Sequence, residues 1–160
     1  MKFMILLKAD KNTEAGELPD EAMISAMMKY NEELVNAGVM VAGEGLHPSS
    51  KGARVAFKGS TRAVIDGPFA ESKELIAGFW IFETKSLQEA IDWVRKCPSP
   101  LKGDAEIEIR QIFDAADFGE SFTPELQAKE AELRAKSAKR YPLFQPCRTG
   151  TSPRRRSCAS

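Results

Sequence analysis

At 160 residues, with 42% hydrophobic and 29% charged residues, the chain fits one ordinary globular domain and excludes a disordered or fibrous protein. Basic and acidic residues balance at 23 each, so no overall field exists to hold nucleic acid or an anionic membrane. No apolar run approaches the roughly 20 residues of a membrane span or forms a signal-peptide core, which predicts a cytoplasmic protein. The balance is uneven: residues 1–140 hold 19 basic against 23 acidic groups, and the last twenty carry four arginines and no acid. Three cysteines without a C-x-x-C pair support neither a disulfide framework nor a zinc knuckle, and the single histidine, His47, excludes schemes that need two. No metal and no cofactor is expected.

Lys2 to Lys8 reads as a strand apolar on both faces, the pattern of a central strand. Residues 19–37 follow with helical period. Pro19, Asp20 and Glu21 suit the first turn, Met23, Met27, Tyr30 and Leu34 make a stripe widened by Ile24 and Val35, and Gly38 is placed as a left-handed stop. Val39–Ala42 is a second strand running into Gly43-Glu44-Gly45, and residues 46–53 are loop. A hairpin follows over Arg54–Lys58 and Arg62–Asp66, turning at Gly59-Ser60-Thr61 and broken by Gly67-Pro68. Ile76–Glu83 is the second strand apolar on both faces. Ser86-Leu87-Gln88-Glu89 fits a capping box opening a helix with Leu87, Ala90, Ile91 and Val94 on one side, and Ala105–Gln111 alternates as a half-exposed strand.

This order is a split βαβ repeat with an inserted hairpin, so the fold class is α+β, a ferredoxin-like sandwich. Two helices cover one face of such a sheet. Leaving Met4, Leu6, Phe79 and Ile81 in water on the other would forfeit about 1.5–3 kcal/mol each. A second copy of the chain, sheet against sheet, is the expected cover, giving a homodimer. Thr123-Pro124-Glu125 opens a last helix with a thin apolar stripe (Leu126, Leu133) and Glu130/Arg134 and Glu132/Lys136 pairs. Residues 141–160 read as a disordered basic tail.

The densest polar cluster is Asp66-Gly67-Pro68-Phe69-Ala70-Glu71-Ser72-Lys73-Glu74, crossing the end of the sheet. Together with Gly78-Phe79-Trp80, Tyr30-Asn31-Glu32-Glu33-Leu34, Ala42-Gly43-Glu44-Gly45-Leu46 and Pro48-Ser49-Ser50, it resembles the DGPF branch of the YCII-related domain proteins over residues 1–117. The resemblance implies a dimeric α/β barrel, with residues 118–140 as a helical extension. It fixes no reaction. The wider superfamily includes an enzyme that removes chloride from a chlorinated hydroxyhydroquinone, more distant barrel relatives isomerise lactones, and DGPF proteins are associated with alternative sigma factors. Some YCII proteins are proposed to use a His–Asp pair, from which this chain departs, because His47 follows Gly45 rather than lying near the first strand.

Each candidate has a structural reading beside the functional one. Asp66 is a general acid or base, or it caps backbone amides in its turn. Glu44 reaches the same cavity, or it is an exposed edge acid. In one apolar cleft the two carboxylates would separate their pKa values into an acid and a base. His47 is a proton shuttle or a solvated loop residue. Lys73 binds an anionic group or pairs with Glu71 or Glu74, Glu71 contacts a substrate or that lysine, and Trp80 stacks on a ligand or packs. Two functions follow: acid–base chemistry on a small cyclic or aromatic-derived molecule, with Asp66, Glu44 and His47 catalytic and Lys73, Glu71 and Trp80 binding it, or a non-catalytic dimeric module for a ligand or protein, linked to transcription regulation.

Overall fold

The computed structural model describes residues 1–70 and 74–140, without the side chains of residues 139 and 140. The expectations for Glu71, Lys73 and the basic tail fall outside the described residues. In chain order the elements are β1 (Lys2–Lys8), α1 (Lys11–Glu14), α2 (Glu21–Asn36), β2 (Met40–Gly45), β3 (Ala53–Lys58), β4 (Thr61–Asp66), β5 (Ile76–Glu83), α3 (Leu87–Val94), β6 (Ile107–Gln111) and α4 (Pro124–Arg140). The chain divides into two compact units, Met1–Ser121 and the segment from Phe122 onward.

The first unit is built on an antiparallel sheet in the order β2-β5-β1-β6, with the two apolar strands at its centre. Consecutive side chains of a strand point to opposite faces, so register sorts them. Phe3, Ile5 and Leu7 stand opposite Phe82, Trp80 and Gly78 on the face that the helices cover. Phe3, Ile5 and Phe82 there are at most 1% exposed, each burial worth about 1.5–3 kcal/mol. Met4, Leu6, Phe79 and Ile81 share the other face, where they are half-buried. Lys8 Nζ meets Glu108 Oε2 at 2.7 Å, and this pairing holds the carboxyl below and the amine above their usual ranges.

α2 starts at Asp20, whose carboxylate accepts the Met23 N–H at 2.9 Å, so Pro19 lies outside the helix. Gly38 at φ +69° stops it, as its sequence position predicts. Tyr30 and Leu34 are buried over the sheet, and the Tyr30 hydroxyl donates to the Trp93 carbonyl at 3.0 Å, tying α2 to the turns of α3. The expected widening of the stripe fails: Ile24 is 46% and Val35 45% exposed. At 3.6 residues per turn, Ile24, Met28 and Val35 sit roughly a quarter to a third of a turn from the stripe's centre, on a flank that α3 does not cover. Ser86 caps α3 by accepting the Glu89 N–H at 3.2 Å, while the Glu89 carboxylate takes the Lys85 N–H rather than that of Ser86. β6 begins at Ile107, two residues later than its alternation predicts.

β3 and β4 form a separate two-stranded sheet. Register places Val55, Phe57 and Val64 on one of its faces, where they are 51%, 70% and 68% exposed. In the second unit, α4 carries ion pairs from Glu130 to Arg134 and from Glu132 to Lys129 and Lys136, and Leu126 and Leu133 are exposed. Among the described residues, no helix is long and apolar enough to cross a membrane.

Candidate functional site

The loops after β1 and β2 and the start of β5 meet at one end of the sheet. The Ala9 N–H bonds the Leu75 carbonyl at 2.9 Å and the Leu46 N–H bonds the Ala77 carbonyl at 2.8 Å, so this end is held by backbone ladders. Two clefts open here. One, about 340 Å³, lies between the flank of α2 and the β2–β5 edge, and Met23, Ile24, Met27, Asn31, Glu44 and Trp80 border it. The other, about 640 Å³, lies under the loop from Leu46 to Lys51 and includes His47, Asp10 and Lys102. Leu7, Pro19, Met23, Gly45, Ala77 and Pro100 line both, so the two adjoin. The exposure of Ile24 and Met28 has its reason here: that flank of α2 is a cleft wall.

The first cleft depends on a glycine. A Cβ at Gly43 would stand 2.6 Å from Trp80 Cδ1 and 2.7 Å from Met40 Cε, closer than carbon atoms approach. Without it the Trp80 ring lies across β2, and its Nε1–H reaches the Asn31 Oδ1 at 3.1 Å. Glu44, next along the strand, pairs with Phe79 and so belongs to the opposite face, bordering the cleft at the edge of the sheet.

A second glycine joins the polar segment to the His47 loop. A Cβ at Gly67 would fall 1.8 Å from the Ser49 carbonyl oxygen, so only glycine lets the two backbones touch. The Gly67 N–H bonds the Gly52 carbonyl at 3.0 Å, and the Phe69 N–H bonds Ser49 Oγ at 3.1 Å. Ser49 Oγ in turn donates to Glu14 Oε2 at 2.5 Å, and the Ser49 N–H reaches both oxygens of that carboxylate at 3.2 Å. The Arg54 guanidinium sits 4.0 Å over the Phe69 ring. One serine thus clamps α1, the loop after β2 and the segment after β4 together.

Trp80 and Glu44 border the first cleft and His47 the second. Asp66 is exposed at the end of β4, is not among the residues bordering either cleft, and has no hydrogen-bond or ion-pair partner for its carboxylate among the described residues. Its neighbour Gly67 brings the segment against the loop that carries His47. The burial of Cys97 pushes its thiol up to about 11, consistent with an unreactive position at a helix end. Among the described residues no group of three or more His, Cys, Asp or Glu side chains could hold a metal ion. Asn31 and Glu14 escaped the sequence reading. Asn31 had a signal, a polar residue four positions after Met27 on the flank of an apolar stripe. Glu14 had none, because its partner Ser49 lies thirty-five positions away.

Among relatives, the uncharacterized protein R00369 of Rhizobium meliloti (strain 1021) is 29% identical over 114 residues, covering 70% of this chain and 92% of its own length. Among solved structures, the 5-chloro-2-hydroxyhydroquinone dehydrochlorinase TftG of Burkholderia phenoliruptrix AC1100, in complex with 2,5-dihydroxybenzoquinone, is similar at 18% identity and a TM-score of 0.39, covering 71% of this chain and 96% of that one. The YCII-related domain matches residues 1–115, the whole sheet and both of its covering helices. The chain belongs to the YCII-related domain family.

Proposed function

We propose that this protein binds a small cyclic or aromatic-derived molecule in the adjoining clefts at the end of its sheet and moves protons on it with Glu44 and His47. One observation carries the reading: Met23, Met27 and Trp80 share a cleft of about 340 Å³ with the polar Asn31 and Glu44, and the adjoining cleft of about 640 Å³ carries His47. A largely apolar pocket with a few converging polar groups is the usual form of a small-molecule site. Asp66, exposed and outside both clefts, is the third proton-handling candidate, and the dimer of this reading would have to bring it to the site. Trp80 supplies the stacking wall, and Lys73 and Glu71, which follow Phe69 in the chain, would hold an anionic or hydroxyl substituent. The working unit in this reading is a dimer that covers Met4, Leu6, Phe79 and Ile81 with the same face of a second copy.

The test is turnover of a panel of chlorinated hydroxyquinols and unsaturated lactones. At least one should be converted, with kcat falling about 100-fold or more in Glu44→Gln or His47→Ala. Conversion unaffected by either change, or binding of ring compounds with no conversion, would move the protein to the second reading. That reading, a dimeric module for a ligand or protein in transcription regulation, is favoured by the hairpin, which presents Val55, Phe57 and Val64 to solvent.

A further inference from the structure

We propose that Asn31 orients the ligand in the first cleft, its side-chain N–H donating to an acceptor oxygen on a flat ring laid against Trp80 and Met27. This rests on the reading above that the cleft holds a small ring. An indole N–H only donates, so the group facing Trp80 Nε1 at 3.1 Å has to be the Asn31 carbonyl oxygen. The amide is planar, so fixing its oxygen fixes its nitrogen. Asn31 Nδ2 has no partner among the described residues, and the residue is half-buried on the wall of the cleft. No side-chain nitrogen or oxygen among the described residues is both buried and unpaired, so the two Asn31 Nδ2 donors are open to solvent at the cleft wall and available to a ligand that brings an acceptor.

The orientation is not free to change. Gly43 allows the Trp80 ring its place, because a Cβ there would collide with Cδ1 at 2.6 Å. Trp80 is 8% exposed and stands opposite Ile5, in the middle of the sheet. The donor is therefore presented by the core rather than by a loose surface side chain. Around it the wall is Met23, Ile24, Met27 and Met28, unbranched or aliphatic side chains that shape themselves to a ring and offer nothing stronger than a thioether as a competing acceptor. The ligand class that fits is a single flat ring carrying a carbonyl, quinone or phenol oxygen.

The experiment uses the full-length chain, labelled at amide nitrogens, the tryptophan indole and methionine methyls, and two probes of one shape: acetophenone, which has an acceptor oxygen, and α-methylstyrene, which has a CH2 in its place. Acetophenone should bind about five- to tenfold more tightly and shift the Asn31 Nδ2 resonances. Asn31→Asp, which still accepts from Trp80 but cannot donate, should abolish that preference and leave α-methylstyrene unchanged, with the Trp80 indole signal reporting that the fold is intact. If both probes shift Met27 and Trp80 with equal affinity and leave Asn31 Nδ2 unmoved, the role of Asn31 is refuted while the cleft reading stands. If neither probe shifts Met27 or Trp80, the cleft reading falls and this inference with it.

Discussion

Gly67→Ala should loosen the segment after β4 from the body of the protein. The added Cβ would lie 1.8 Å from the Ser49 carbonyl oxygen and 2.6 Å from its carbon, both backbone atoms that no rotamer change can move aside. Separation of the two chains by more than an ångström breaks the Gly67–Gly52 and Phe69–Ser49 hydrogen bonds and pulls Phe69 from under Arg54. Two hydrogen bonds and one exposed cation–π contact together amount to about 2–3 kcal/mol. For a unit of this size that corresponds to a fall in Tm of roughly 6–12 °C. Gly45→Ala is the control, because a Cβ there meets nothing within 4 Å, and it should change stability by less than about 0.5 kcal/mol. Thermal melts and hydrogen exchange at the Phe69 amide read the two levels separately. Local release speeds exchange at Phe69 even where the melt moves little. A Gly67→Ala protein with unchanged Tm and unchanged Phe69 protection would refute the close-approach argument.

Ile81→Asp, on the half-buried sheet face, should convert the protein from dimer to folded monomer in analytical ultracentrifugation, since Trp80 and Phe82 still form the helix-covered core; a wild-type monomer at micromolar concentration would refute the dimer. Cys97, its thiol pushed up from 9.0 to about 11 by burial, should react with iodoacetamide at pH 8 about 100-fold more slowly than an unhindered peptide thiol, as peptide mapping by mass spectrometry can show.

The sheet was legible because its signals are local. β1 and β5 are apolar runs bounded by Lys2, Lys8 and Glu83, and the structure starts and ends them at the residues the sequence marks. The hairpin, the glycine stop at Gly38 and the serine cap at Ser86 were legible for the same reason. Boundaries slipped where two signals competed: Pro19 and Asp20 both suit a helix start, and only geometry shows that Asp20 is the cap, its carboxylate receiving the Met23 N–H. The site was legible as a set of motifs but not as an arrangement. Glycines at 43 and 67 stood out in the chain, yet what each makes room for, Trp80 in one case and the Ser49 backbone in the other, comes from residues 18 to 37 positions away. Asp66 shows the limit most clearly. Turn composition predicts a capping carboxylate there, while the Gly67 and Phe69 N–H groups go to the Gly52 carbonyl and Ser49 Oγ, partners that composition does not announce.

The pairing of β1 with β5 sets a timetable for synthesis. β1 is complete at Lys8, whereas its first partner in the sheet begins only at Ile76. At translation rates of about 5–20 residues per second, roughly 70 residues take about 4–14 s, and the intervening β2 cannot substitute because it pairs with β5 as well. Throughout that interval Phe3-Met4-Ile5-Leu6-Leu7 has neither of its partner strands, β5 and β6, a segment of the kind that seeds intermolecular strand pairing. The lysines at both ends, Lys2 and Lys8, are placed as gatekeepers against that pairing. Exchanging Lys2 for a neutral residue would burden the ribosome-bound chain while leaving the finished sheet almost as it was, whereas Lys8 also holds Glu108 of β6.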